Sequence, residues 1–200
     1  MPRFRPMKDL PFHIGMKVKI YLSYKKKHLV AVNDGAKRAV YNHLVACGNE
    51  RYRLSKTADF VPSDRERISY LEDVSFTSAG VKNAMPFLYG DEVDSLAVDN
   101  AIANYHKAWK NMKELHTGVP AFKKKSYEQS YQTNAHYKYE NGGNTTNVRF
   151  LDEHHVTLPK LGRVRFDGSP EIVRFVLEHQ DTIRIGTITV SRDAVGESRP

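Results

Sequence analysis

Three consecutive lysines, Lys123-Lys124-Lys125, follow Phe122 and run into Ser126, Tyr127, Ser130, Tyr131, Thr133 and Asn134. Cations beside stacking-competent tyrosines and amide or hydroxyl side chains are the means of tracking a phosphate backbone, stacking bases and touching base edges or sugars. In that chemistry the lysines neutralise phosphates and Tyr131 stacks, while Thr133 and Asn134 contact bases or sugars. On composition alone the same run also fits a flexible polar linker. A second triplet, Lys25-Lys26-Lys27, leaves the alternating, strand-like residues 16–24 and is open to two readings, phosphate contact or wet loop.

Catalytic patterns do not accompany these residues. Gly142-Gly143 lacks the Lys-Ser/Thr that completes a phosphate loop, and neither H-E-x-x-H nor G-x-S-x-G occurs. His154 and His155 are adjacent, so on a strand they point to opposite faces and cannot share a metal. Asp152-Glu153 fit a solvated hairpin turn. The single cysteine, Cys47, allows neither an intrachain disulfide nor a multi-cysteine zinc site. On a helical run it reads as a small buried hydrophobe. We therefore expect no enzyme, no cofactor and no metal site, and the reducing cytoplasm as the natural location.

The charge supports a polyanionic partner. Thirty-one Lys+Arg against 23 Asp+Glu give +8 over 200 residues, and phosphate neutralisation supplies affinity through counterion release. Residues 1–30 carry eight Lys/Arg and one acid, residues 54–100 four Lys/Arg and nine acids, and residues 101–140 seven Lys and three Glu. Basic segments flanking an acidic middle point to one binding face. No stretch approaches the roughly 20 apolar residues of a membrane helix, so no membrane partner is expected.

The elements that must position these residues are legible in outline. Residues 1–12 read as a basic, proline-containing arm. Residues 16–24 alternate, with Val18, Ile20 and Leu22 on one side and Lys17, Lys19, Tyr21 and Ser23 on the other, which predicts a strand with one wet, positive face. From about His28 to Cys47 the spacing is helical, although Asp34-Gly35 allows a turn with the helix starting after it. Residues 62–73 predict a short helix with Ser63 as cap and Glu66 in capping-box register, and residues 78–88 fit a weaker one. The clearest helix is 92–116, with an apolar stripe through Leu96, Ala101, Tyr105, Ala108, Trp109, Met112 and Leu115, ended by Gly118 and Pro120. Residues 120–147 show no clear period. Strand-like pieces follow at 148–151, 155–158, 163–166 and 183–191; 172–177 is too continuously apolar to separate strand from buried helix. Gly196 to Pro200 come directly after a strand, where a neighbouring strand is expected.

Several strings, in this order, resemble the amino-terminal half of the TnpB family, transposon-encoded RNA-guided DNA nucleases related to type V CRISPR effectors. They are Gly35 to Leu44 (GAKRAVYNHL), Val93-Asp94 with Ala97, Ala101 and Ala108 to Asn111, then Pro120 to Lys125 with Ser130 to Thr133. Leu158 to Val164 (LPKLGRV) and Ile188 to Arg192 complete the set. The resemblance spans about residues 16–195. It implies a small antiparallel, oligonucleotide-binding barrel (the wedge) interrupted after its first strand by a helical recognition bundle. The divisions would be 1–24 for arm and first strand, 25–119 for the inserted bundle, and 120–200 for a linker and the remaining strands. The family's nuclease domain and zinc ribbon lie beyond this point, so the resemblance implies binding without cutting.

The resemblance also implies partners: a guide-type non-coding RNA, and double-stranded DNA carrying a short target-adjacent motif. It brings Arg38, Tyr41, Asn42, Ser130 and Lys160 into the nucleic-acid-binding set, and implies a second reading site in the Thr-Asn stretch before the next strand, at Thr133 and Asn134 or at Asn144, Thr145, Thr146 and Asn147, with Thr146 and Asn147 as base or sugar contacts. The Lys and Gln that the family often places on its recognition helix correspond to Ser95 and Asp99 here, and an acid facing phosphates would repel. The fold expectation is thus α+β, a small barrel with an inserted helical bundle. The alternatives are a guide-independent single-strand- or RNA-binding barrel protein and a protein–protein adaptor.

Overall fold

The computed structural model describes residues 9–140, 143–180 and 182–192. The first eight residues of the basic arm, Gly142 of the Gly142-Gly143 turn, and Gly196 to Pro200 lie outside the described residues. Among those described are eight strands and five α-helices, and no helix there is long and apolar enough to cross a membrane. The chain forms two compact units, one comprising residues up to Leu29 with Thr133–Ile188, the other Val30–Gln132 with Thr189 onward.

The first unit is built on an antiparallel sheet with strand order β1-β7-β6-β5. These strands are β1 (Lys19–Tyr21), β5 (Arg149–Asp152), β6 (His155–Leu158) and β7 (Gly162–Asp167). The register sets Ile20 opposite Phe166, Val164 opposite Val156, and Val156 opposite Phe150. One face of the sheet is therefore apolar. Phe150 packs edge-on against the fully buried Phe166, with ring centroids 5.3 Å apart. Helix α5 (Pro170–Glu178) packs against β5 and buries Val173, which resolves the ambiguous run at 172–177 as helix. Strands β3 (Tyr137–Glu140) and β4 (Gly143–Thr146) make a separate ribbon, and β2 (Gln129–Asn134) pairs with β8 (Thr187–Arg192).

The sheet does not close, so the expected barrel with an inserted bundle is not what forms. Closure requires the two edge strands to meet through further strands. Here β1 and β5 stay at opposite edges, and the segments that could have joined them, β2 and β8, pair with each other instead. The architecture is mixed α and β with an open four-stranded sheet and two ribbons.

The second unit is helical. Helix α1 (Tyr24–Leu54, 31 residues) runs without a break through Asp34-Gly35. Glycine inside a helix costs about 1 kcal/mol relative to alanine, but the Asp34 carboxylate is held by one tertiary partner, Ser130, and by Lys37 and Arg38 one turn along the same helix, which favour the continuous form. Helix α2 (Pro62–Tyr70) starts on Pro62 after Val61, without the Ser63 cap, because proline already has the φ of a first helical residue. It passes into a π-helical turn, Leu71–Ser75. Helix α3 (Ser78–Ala84), capped by Thr77, is followed by a 3-10 turn at Pro86–Tyr89. Gly80 has no room for a side chain, since a Cβ there would lie 2.0 Å from the Val74 carbonyl oxygen. Helix α4 (Ser95–Leu115) is capped by Asp94 and ends at His116 in the left-handed region, φ 52°, ahead of Gly118. Val40, Tyr41, Leu44 and Val45 of α1 join Val98, Ala101, Ile102 and Tyr105 of α4 in one core, with Trp109 partly buried against it.

Candidate nucleic-acid interface

Alternation along β1 and β7 puts cations on the face of the sheet opposite its core. Lys19 and Tyr21 flank Ile20, and Arg163 and Arg165 flank the buried Val164. Because β1 lies beside β7, Tyr21 stands opposite Arg165, which stands opposite His155, which stands opposite Asp152. Two further rows flank this one. Lys19 is opposite Asp167, and Arg163 is opposite Thr157, itself opposite Arg149. A register shift between Phe150 and Asp152 preserves both pairings on β5. With strands about 4.8 Å apart and about 6.8 Å between alternate residues, the three rows cover a patch about 14 Å on each side.

The electrostatics of this patch are favourable to an anion. Four full cations, Lys19, Arg149, Arg163 and Arg165, share it with two acids, and both acids are engaged within the face. The Asp167 carboxylate accepts the Tyr21 hydroxyl at 2.5 Å, which pushes the phenol's pKa upward. Asp152 accepts the His154 backbone N–H at 2.8 Å and contacts His155 Nδ1 at 2.9 Å, and its pKa is lowered chiefly by that backbone donor. Arg163 reaches Asp152 only at 3.7 Å, with both side chains about half exposed. Such exposed pairs contribute little. Lys19 and Arg165 instead lie 5.3 and 5.5 Å from the Tyr21 ring centroid.

Some residues singled out in the sequence belong to the same unit as this sheet. Lys25, Lys26 and Lys27 form the first turn of α1 rather than a loop, and no acid accompanies them there. Three cations at the positive end of a helix dipole are mutually unfavourable, and Lys26 relieves this by donating to the Arg163 carbonyl. Lys25 stays exposed. Lys160 occupies the β6–β7 turn with φ 60°, three residues before Arg163.

The second unit uses its candidates differently. Asp34 accepts the Ser130 backbone N–H at 3.2 Å and pairs with Lys37 and Arg38 at 3.1 Å each. Burial opposes ionisation of Asp34, but these three donors outweigh it and hold its pKa below the usual value. Lys37 also donates to the Ser130 carbonyl. One turn along, the Asn42 amide receives the Lys123 N–H at 2.7 Å and donates to the Lys123 carbonyl at 3.0 Å. The Lys123 ammonium sits 3.9 Å from the centroid of the buried Tyr41 ring. Desolvation and the nearby Lys37 charge lower its pKa. Arg38, Tyr41, Asn42, Lys123 and Ser130 are thus brought together as a clasp that fastens the lysine segment to α1. That segment is not a free linker; Lys123, Lys124 and Lys125 are all exposed, but only Lys123 has its ammonium laid over a ring and its backbone held by Asn42.

Tyr131 and Thr133 are placed in the interior, 1% and 0% exposed. Burial, then the Asp94 charge, drives the Tyr131 pKa upward, and its hydroxyl finds no hydrogen-bond partner among the described residues. A ring so enclosed offers no face to a base, because its strand alternates inward at that position. Asn147 ties its own backbone neighbourhood together, accepting from His136 N–H at 2.7 Å and donating to the Asn134 carbonyl at 3.3 Å. Thr146 accepts the Val148 N–H. Ser95 and Asp99 are exposed one turn apart on α4, with Asp99 accepting the Ser78 hydroxyl at 2.8 Å.

Arg149, His155, Arg163 and Arg165, which line this face, are not among the candidates read from sequence. The cation–apolar alternation of Arg163-Val164-Arg165-Phe166 repeats that of Lys17-Val18-Lys19-Ile20, and this was the signal available. Among the described residues no group of three or more His, Cys, Asp or Glu could hold a metal ion. No protein-family model and no curated protein matches the chain.

Proposed function

We propose that this protein binds nucleic acid on the solvent face of its four-stranded sheet and does not cut the bound strand. The observation that carries this is the gathering of Lys19, Arg149, Arg163 and Arg165 with Tyr21 on one sheet face whose two acids are already engaged. Lys25, Lys26 and Lys160 extend the positive field at the Arg163 end, and the net charge of +8 supports the same reading. The partner is a guide-type RNA with, secondarily, a short motif on duplex DNA. This part rests on the ordered strings that resemble the TnpB family, not on the fold, whose open sheet departs from the barrel that resemblance implied. A cytoplasmic location fits a nucleic-acid partner and a single reduced cysteine.

The test is to purify the protein without nuclease treatment and sequence the RNA that accompanies it. One discrete, structured species is expected. A heterogeneous mixture would refute the guide partner while keeping nucleic-acid binding, and an absence of salt-dependent affinity for any RNA would refute both and favour a protein adaptor. Magnesium-dependent cleavage of bound RNA or DNA would refute binding without cutting.

A further inference from the structure

We infer that the sheet face recognises an unpaired base at Tyr21, so that its ligand is single-stranded rather than duplex; this rests on the nucleic-acid reading above and narrows it. The phenol is 43% exposed on the face, although its hydroxyl is committed to Asp167. That hydrogen bond crosses from β1 to β7 and fixes the ring against both strands. What remains on offer is the ring's surface and not its polar end. Lys19 and Arg165 approach that ring and carry no ion pair with a carboxylate among the described residues. The next groups along the row, the Arg165 guanidinium and the His155 imidazole, are also planar and stand on adjacent strands. A row of planar groups about 4.8 Å apart, bordered by cations, suits bases splayed from a strand whose phosphates lie along Arg163, Arg149 and Lys19. A duplex hides its base faces within the stack and presents only backbone and groove edges. It would gain from the arginines and nothing from the ring.

The experiment measures fluorescence anisotropy of the full chain with a labelled 12-nucleotide RNA, the same RNA annealed to its complement, and the same RNA carrying central abasic sites, at matched salt. The native protein should prefer the single strand over the duplex by about 10-fold or more, and lose that preference on the abasic strand. Tyr21→Ala should weaken single-strand binding about 5- to 150-fold, with duplex affinity and the salt dependence unchanged. Tyr21→Phe, which keeps the ring but not the Asp167 bond, should stay within a few-fold of native on the single strand. Tyr21→Leu serves as a second ring-deleting variant with a strand-compatible apolar side chain. Equal affinity for single strand and duplex, or equal loss on both with Tyr21→Ala and Tyr21→Leu, overturns the base site while leaving polyanion binding intact. Failure of all three ligands to bind at low salt overturns the interface itself.

Discussion

Arg163→Gln/Arg165→Gln is the perturbation that bears most directly on the interface. Both side chains leave the sheet on its solvent face, alternating with Val164 and Phe166, which remain in the core. Arg163 gives up a 3.7 Å exposed pair with Asp152, and Arg165 a 5.5 Å approach to the Tyr21 ring. The cost to folding should be under about 1 kcal/mol, or a Tm shift within about 4 °C. Binding should respond much more. Each phosphate contact to a single strand contributes about 0.7 to the slope of log K against log salt, so losing two should flatten it by about 1.4. Taking the electrostatic difference to vanish near 1 M salt, the variant should bind about 65-fold more weakly at 50 mM and only about 10-fold more weakly at 200 mM. The assay is a salt series of anisotropy titrations with one labelled RNA. A matched control, Lys107→Gln/Lys110→Gln, removes the same charge from exposed positions on α4. If the control flattens the slope as much as the arginine variant, a general net-charge effect accounts for binding and the sheet face is not the site. An unchanged slope in the arginine variant would refute the interface outright.

Three further outcomes follow from the second unit. Asp34→Asn leaves Lys37 and Arg38 without their carboxylate and should cost about 1–3 kcal/mol at neutral pH by urea denaturation. Since the folded pKa of Asp34 lies below its ordinary value near 3.8, its contribution is present above that value and is lost as pH falls through the lower folded one, so native and variant should converge in acid at a pH below that ordinary value. Tyr131→Phe removes a buried hydroxyl with no partner and should be neutral or stabilising by about 1 kcal/mol, with RNA affinity unchanged; a loss of stability in thermal melts would show that the hydroxyl is satisfied. Lys124→Ala/Lys125→Ala should lower the salt slope on the same single strand by up to about 1.4, and adding Lys123→Ala should change it little, because that ammonium lies over Tyr41. A further loss of about 0.7 from Lys123 would show that it leaves the ring to meet phosphate.

Local patterning carried a good share of the architecture. The apolar stripe from Leu96 to Leu115 identified α4, because a helix of that length repeats its period often enough to stand out. Lys17 to Ser23 announced a strand with a positive face, and Arg163 to Phe166 announced a strand whose positive face went unread. The residues around Cys47, Tyr105 and Trp109 were legible as core, since burial follows helical phase. Where the period was short or broken, the local signal gave out. Residues 129–146 contain three strands of four to six polar-rich residues, too few to show alternation. Asp34-Gly35 left helix and turn equally open because the three stabilising partners of Asp34, Ser130 above all, are distant in sequence or act only once the helix exists.

Pairing was the part that periodicity could not supply. Lys19 and Tyr21 stand beside Arg165 and Asp167 across about 146 residues of chain, and nothing in either strand's own pattern names its neighbour. The same non-local choice left the sheet open, by pairing β2 with β8 rather than with its edges. It also decided which cations face solvent together and which, like Lys123 and Arg38, are spent on holding a segment in place. Charge and element type are properties of a stretch of residues. A binding face is a property of hydrogen-bond register between stretches, and that exists only once the chain has folded.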